Sequence, residues 1–248
     1  MHFLLTNDDG INAVGIRALA EAALKRGHKV TICAPSEQQS AASARLTLTR
    51  PLTTHKKEWP GVDAFAIDGT PVDCVRVAPY LGETPYDFCL SGVNNGENAG
   101  TAAYYSGTVN AAREATMGHM KSMAVSVDAH ACPEALQRTA EMAVEIAEKY
   151  ADTELPRMCV INFNAPATHP DTWKELKIAP ISEAYFLDTY EKRVSPYGVT
   201  YFWMNAGLQI EPREEGSDLY LLEQNHPVVT FLGGIKDFND TLGGKLKG

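Results

Sequence analysis

The first 165 residues alternate short β-prone runs with helical periods, and this repetition limits the chain to very few architectures. A strand is expected at His2–Thr6. A helix follows over residues 14–26, where Ile16, Leu19, Ala20, Ala23 and Leu24 share a face and Gly27 ends it. A second strand over 29–34 stops at Pro35, and β-prone stretches recur around 46–52 and 64–67. Thr70-Pro71 has the form of an N-cap followed by proline at the first helical position, opening a helix to about Tyr80. Strand 87–93, a Gly/Asn-rich loop, a helix near Gly107–Met117, strand 122–127, helix 133–150 and strand 157–162 complete the series. Parallel strands need long crossovers, and helices supply them, so the order implies an α/β fold: a mostly parallel sheet covered by helices on both faces.

From about Ala165 the pattern changes. Proline recurs at 166, 170, 180, 196, 212 and 227, helical periodicity fades, and aromatic residues gather between Tyr185 and Trp203. We expect an α/β core over 1–165 and a β-rich extension over 166–248. Within the extension, two β-prone arms flank the turn sequence Ser195-Pro196-Tyr197-Gly198. They predict a projecting hairpin at about 185–205 that serves as a subunit contact.

Charge and cysteine content narrow the partners. Twenty-two basic against 31 acidic side chains give a net charge of −9. Such a chain lacks the clustered Lys and Arg that drive counterion release from nucleic acid, so no nucleic-acid partner is expected. Cys33, Cys74, Cys89, Cys132 and Cys159 are odd in number, widely spaced and without a C-x-x-C pair, which reads as free thiols in a reducing compartment. The opening apolar run is only five or six residues long and meets two aspartates. Neither a signal peptide nor a membrane span fits it, and a cytoplasmic protein without a membrane partner is expected.

Three segments stand where strands of an open α/β sheet deliver their ligand-binding loops. Asn7-Asp8-Asp9-Gly10 places two adjacent carboxylates after the first strand, an arrangement most easily tolerated around a hard cation such as Mg²⁺, Mn²⁺ or Ca²⁺. A solvated Asp-Gly turn capping the next helix is the plain alternative. Ser91-Gly92-Val93-Asn94-Asn95-Gly96-Glu97-Asn98 offers amide oxygens and glycines, or is simply a surface loop. Tyr105-Ser106-Gly107-Thr108 opens a helix whose free N–H groups favour a phosphate, or is simply a cap. Ser40, on the loop after strand two, is a further neutral oxygen for the same cation. The seven histidines form no H-x-H or H-E-x-x-H spacing, and neither a G-x-S-x-G elbow, a Walker A sequence nor a G-x-G-x-x-G fingerprint occurs.

Read in order, these residues resemble the survival protein E (SurE) family of metal-dependent 5′-nucleotidases. The resemblance rests on Leu4 through Ile11 with Gly15 and Ile16, on Ala34-Pro35 followed by Ser40, and on Gly69 through Val75. It continues in Ser91-Gly92-Val93-Asn94 with Asn98, in Tyr105 through Val109 with Ala112 and Glu114, and in Asn162-Phe163-Asn164-Ala165-Pro166. It implies a Rossmann-like three-layer catalytic core with a β-rich C-terminal extension, assembled as a homodimer or homotetramer. It also implies one divalent ion per subunit, Mg²⁺ or Mn²⁺, on Asp8, Asp9, Ser40 and Asn94, with Asp8 and Asp9 as catalytic residues. Phosphate binding maps to Asn94, Asn98, Ser106, Gly107 and Thr108. The implied substrates are nucleoside monophosphates, with side activity on 3′-nucleotides and short polyphosphate.

The chain departs from the family pattern at three places. Ala41-Ala42-Ser43-Ala44 stands where a glycine and then His or Asn usually follow the serine, Thr101-Ala102-Ala103 replaces an acidic pair, and Asn225-His226-Pro227-Val228 replaces Gly-Tyr-Val-Ser. Two other functions fit parts of the sequence: a nucleotide sensor without catalysis, and a nucleotide-sugar glycosyltransferase, suggested by Arg26-Gly27-His28-Lys29-Val30 with Ala34-Pro35.

Overall fold

A computed structural model describes residues 1–205, 209–210 and 214–233. The chain runs β1 (His2–Thr6), α1 (Val14–Lys25), β2 (Lys29–Pro35), β3 (Thr54–Lys57), β4 (Asp63–Ile67), α2 (Pro71–Val77), β5 (Phe88–Asn95), α3 (Ala102–Tyr105), α4 (Gly107–Met117), β6 (Lys121–Val127), α5 (Pro133–Lys149) and β7 (Val160–Ala165). After these come β8 (Lys177–Ile178), β9 (Tyr185–Phe186), β10 (Thr189–Val194), β11 (Thr200–Asn205), β12 (Gln209–Ile210), α6 (Asp218–Glu223) and β13 (Val228–Leu232). Nine strands form one sheet in the order β3-β4-β2-β1-β5-β6-β7-β13-β8, parallel from β4 to β7. The expected Rossmann-like sandwich is therefore present.

Alternation along β1 explains the two helical layers. Phe3 and Leu5 face α1 and α5, packing with Ile16, Leu19, Ala140 and Val144; Leu4 faces the opposite side with Cys74 and Val75 of α2 and Ala111 and Ala115 of α4. All are buried, and each large side chain contributes roughly 1.5–3 kcal/mol by leaving water. α1 sits close to the sheet because Gly15 lacks a Cβ: one would stand 1.9 Å from the Val93 carbonyl oxygen.

The strand order also locates the site. From β1 the chain steps to β2 on one side, and after β4 and α2 it returns as β5 on the other side of β1. The loops leaving β1 and β5 thus part at a switch point, where open α/β sheets form their ligand crevice.

Two sequence expectations need correction. Residues 46–52 form no strand; the edge strand is Thr54–Lys57, exposed throughout and paired antiparallel with β4. Thr47 is instead held by Asp73, which accepts its N–H at 3.0 Å and its hydroxyl at 2.6 Å while closing the capping box with Thr70. The seventh strand begins at Val160 and runs through Asn162-Phe163-Asn164, later than the 157–162 expected.

After residue 165, β8 and β13 extend the main sheet, with β13 antiparallel to β7. β10 and β11 form a separate exposed ribbon, closed by a turn in which Gly198 N–H donates to the Ser195 carbonyl at 2.9 Å. All five cysteines are free. Among the described residues no helix is long and apolar enough to cross a membrane.

Candidate functional site

Asn7 shapes the turn that presents the acidic pair, its side chain bonding Gly10 N–H at 3.2 Å and the Gly10 carbonyl at 2.9 Å. Asp8 then points beneath the first turn of α4. Its Oδ1 accepts the Thr108 hydroxyl at 2.6 Å and its Oδ2 accepts the Thr108 backbone N–H at 3.2 Å. Gly107 makes this approach sterically feasible, since a Cβ there would stand 2.9 Å from both Cβ and Oδ2 of Asp8. Asp9 turns toward the other loop, where Oδ2 accepts the Asn95 N–H at 3.2 Å.

Asn94, at the end of β5, lies in the same cluster: its Oδ1 is 3.4 Å from the Thr108 hydroxyl, and its Nδ2 donates to the Gly96 carbonyl at 2.7 Å. Ser106 caps α4, accepting the Val109 N–H at 3.1 Å. Ser40 is exposed and accepts from Gln38 Nε2 at 2.9 Å. Its loop is anchored on both sides of it, Gln39 N–H donating to the Asp8 carbonyl at 2.7 Å and Ser43 N–H to the Tyr105 carbonyl at 3.2 Å. Ala41 and Ser43 take the left-handed backbone, φ +54° and +50°, on the stretch that departs from the family pattern.

Asn98 is buried and points inward. Its Nδ2 donates to Ser126 Oγ at 2.8 Å, its N–H to Asn164 Oδ1 at 2.7 Å, and its carbonyl accepts from Asn162 Nδ2 at 2.8 Å. The loop's far end is held by buried Asp218, which accepts the N–H groups of Gly100, Ser182 and Leu219 at 2.8–2.9 Å. The sequence reading missed Ser126, Asn95 and Asp218 as supports; the Asn-x-Asn of β7 is the one signal that pointed toward this network.

The electrostatics favour a cation. Burial raises the Asp8 carboxyl above the ordinary range, with the Thr108 hydrogen bonds pulling it back; burial and then the charge on Asp8 raise Asp9. Neither carboxylate forms an ion pair among the described residues, whose only partners for them are neutral donors. Nor does any group of three or more His, Cys, Asp or Glu gather among those residues in a way that could hold a metal. Two carboxylates with amide and hydroxyl oxygens nearby form a hard donor set, matched to Mg²⁺, Mn²⁺ or Ca²⁺ and poorly to zinc. The mouth of α4, read from sequence as a phosphate cradle, is shared with the Asp8 carboxylate, whose charge the helix dipole stabilises.

A family model described as Survival protein SurE matches residues 3–188. A curated relative named 5′-nucleotidase SurE from Prochlorococcus marinus (strain MIT 9303) is 37% identical over 243 residues, covering 93% of this chain and 89% of the relative. Another of that name, from Desulfovibrio desulfuricans (strain ATCC 27774 / DSM 6949 / MB), is 39% identical over 246 residues, covering 97% and 95%. The crystal structure of the Sure protein from Aquifex aeolicus matches with a TM-score of 0.83 at 30% identity, over 100% of this chain and 99% of that one.

Proposed function

The chain belongs to the SurE survival-protein family, and on that premise we propose that it is a 5′-nucleotidase, releasing phosphate from nucleoside monophosphates. The observation that carries the reading is the convergence of Asp8, Asp9 and Asn94 on one neutral-lined cluster at the switch point of the sheet. We propose one Mg²⁺ or Mn²⁺ ion per subunit, which would supply Lewis-acid polarisation of a phosphoryl oxygen. Asp8, Asp9, Asn94 and Ser40 are the residues that would hold it.

The chain's own groups do the rest. Thr108 fixes the Asp8 carboxylate in one orientation, and Asn95 N–H does the same for Asp9. Asn94 and, at a helix end whose dipole favours an anion, Ser106, Gly107 and Thr108 are the proposed phosphate contacts; Asn98, grouped with them from the sequence, has its side chain turned to Ser126 and braces their loop from within. Fixed dipoles stabilise the charge that builds on the transferring group without reorganising at the moment of reaction. We also propose that one of the two aspartates serves as the base for the attacking water. Side activity on 3′-nucleotides and short polyphosphate belongs to the same proposal.

The test is a phosphate-release assay over several nucleoside monophosphates with each divalent cation. Asp8→Asn and Asp9→Asn should abolish release with the fold intact; near-wild-type rates in either variant would refute the assignment. A wild-type chain that binds nucleotide with metal yet frees no phosphate would be a sensor instead.

We further propose a cytoplasmic homodimer or homotetramer. The β10–β11 ribbon exposes Tyr190, Phe202 and Trp203, apolar surface of the kind through which chains contact one another. Solution mass measurement before and after Phe202→Ser and Trp203→Ser tests the assembly.

A further inference from the structure

Of the segments through which the chain resembles its family, Gly69 through Val75 stands outside the cluster of Asp8, Asp9 and Asn94. It opens α2, whose Cys74 and Val75 lie in the core with Leu4. The first turn of that helix grips the loop that carries Ser40. Asp73, 3% exposed, accepts the Thr47 N–H at 3.0 Å, the Thr47 hydroxyl at 2.6 Å and the Thr70 N–H at 2.9 Å. The Thr70 hydroxyl accepts the Asp73 N–H at 3.2 Å and donates to the Arg45 carbonyl at 2.7 Å. Burial works against the Asp73 charge, yet the threonine donors outweigh it and hold the carboxyl below the ordinary aspartate range. Gly69 leaves room for this contact, since a Cβ there would stand 2.8 Å from Leu52 Cδ2 and 3.0 Å from Asp73 Oδ2.

Ser40 depends on such ties for its place. It is exposed, and its hydroxyl accepts from Gln38, two residues away in the same loop. The loop meets the rest of the molecule through Gln39 N–H on the Asp8 carbonyl at 2.7 Å, Ser43 Oγ on the Tyr104 carbonyl at 3.1 Å, and then Arg45 and Thr47 on α2. Between the first and last of these, Ala41 and Ser43 hold φ of +54° and +50°, a strained backbone that relaxes when one end is released. The bonds to Asp73 resist that release most, because a carboxylate acceptor makes a hydrogen bond roughly twice as strong as a neutral one.

We infer that Asp73 and Thr47 are positioning residues for the metal site: through their contact, α2 holds the loop after β2 so that Ser40 stays at the acidic doublet. The inference rests on the nucleotidase reading above, in which Ser40 is a ligand. It gives the Gly69–Val75 segment a role at the site that requires no contact with metal or substrate.

Thr47→Val, which removes the hydroxyl and leaves the α2 cap whole, and Asp73→Asn test it, each alone and combined with Ser40→Ala. In chelator, hydrogen exchange of the Ser43 amide should quicken about tenfold in Thr47→Val, while the Cys74 amide, inside α2, keeps its wild-type rate. Mn²⁺ affinity, measured by calorimetry, should fall about tenfold, and Thr47→Ser should recover most of it. In the Ser40→Ala background the same changes should cost less than about a further twofold, because a residue acting through Ser40 has nothing left to position. Should Asp73→Asn fail to fold, Thr47→Val carries the test alone. Losses of the same size with and without Ser40, unchanged Ser43 exchange or unchanged Mn²⁺ affinity in Thr47→Val, or a Ser40→Ala variant with wild-type affinity, overturn the inference and leave the nucleotidase reading intact. Wild-type protein that takes up neither Mn²⁺ nor Mg²⁺ and frees phosphate from no nucleotide overturns the nucleotidase reading, and the inference with it.

Discussion

Thr108 engages both oxygens of the Asp8 carboxylate, its hydroxyl donating to Oδ1 at 2.6 Å and its backbone N–H to Oδ2 at 3.2 Å, so one residue of α4 grips the carboxylate at both ends. Thr108→Val keeps the shape and the N–H but removes the hydroxyl. Outer contacts of this kind are worth about 10–100-fold in metal affinity or activity. We expect a loss in that range in both Mn²⁺ titration and phosphate release, with Thr108→Ser recovering most of it. Equal losses in Val and Ser variants would mean that the hydroxyl is not the operative group.

Gly107→Ala tests the steric side of the same contact. The new methyl would stand 2.9 Å from Asp8 Cβ and Oδ2, so either the carboxylate or the helix must move. Overpacking of this kind costs about 1–3 kcal/mol, and activity should fall more than stability does. Paired thermal melts and rate measurements would separate the two effects.

Removing the acidic doublet's charge should help the metal-free fold. Asp9 is held partly buried beside Asp8, with one N–H among the described residues, that of Asn95, to offset the cost. Asp9→Asn is expected to raise the melting temperature in chelator by about 1–3 °C and to show no further rise with Mn²⁺, where the proposed metal site predicts one for wild type. A lower melting temperature in chelator would show that Asp9 stabilises the fold directly.

Acid stability should depend on Glu148, far from the site. Arg26, which bonds it through Nε at 2.9 Å, and then His28, at 2.8 Å, hold its carboxyl down to about 2, against 4.5 for an ordinary Glu. A lowered folded value means stability that is present above about pH 4.5 and disappears as pH falls toward 2. Glu148→Gln should therefore lower the melting temperature at pH 7 by about 1–3 °C, modestly because the pair is partly exposed, and make little difference near pH 2. A deficit of equal size at both pH values would point to lost packing instead of lost charge.

The sequence made the parallel core legible wherever apolar periodicity and caps agreed. Helix Gly107–Met117 falls where the pattern put it, and Thr70-Pro71 forms the cap it announced. Reading failed where tertiary partners outweighed propensity. Leu46 and Leu48 look strand-like but remain exposed, because Asp73 claims Thr47, while the polar Thr54–Lys57 pairs as a charged edge that resists further pairing. Asn162 and Asn164 looked like the end of a strand, yet they lie inside β7 because Asn98 supplies their partners. Ala41 shows a departure met by strain: the loop keeps the left-handed turn expected of glycine, costing about 1–2 kcal/mol. The pairing of Thr108 with Asp8 was not readable, since no local pattern connects two residues a hundred positions apart.

That separation has a consequence for how the molecule comes into being. At synthesis rates of about 5–20 residues per second, roughly 5–20 s elapse between Asp9 and the arrival of Thr108, and α4 must then dock before the carboxylates are fixed. Until then Asp8 lacks the donors that orient its carboxylate, so the acidic cluster takes its folded geometry only late in the life of the nascent chain.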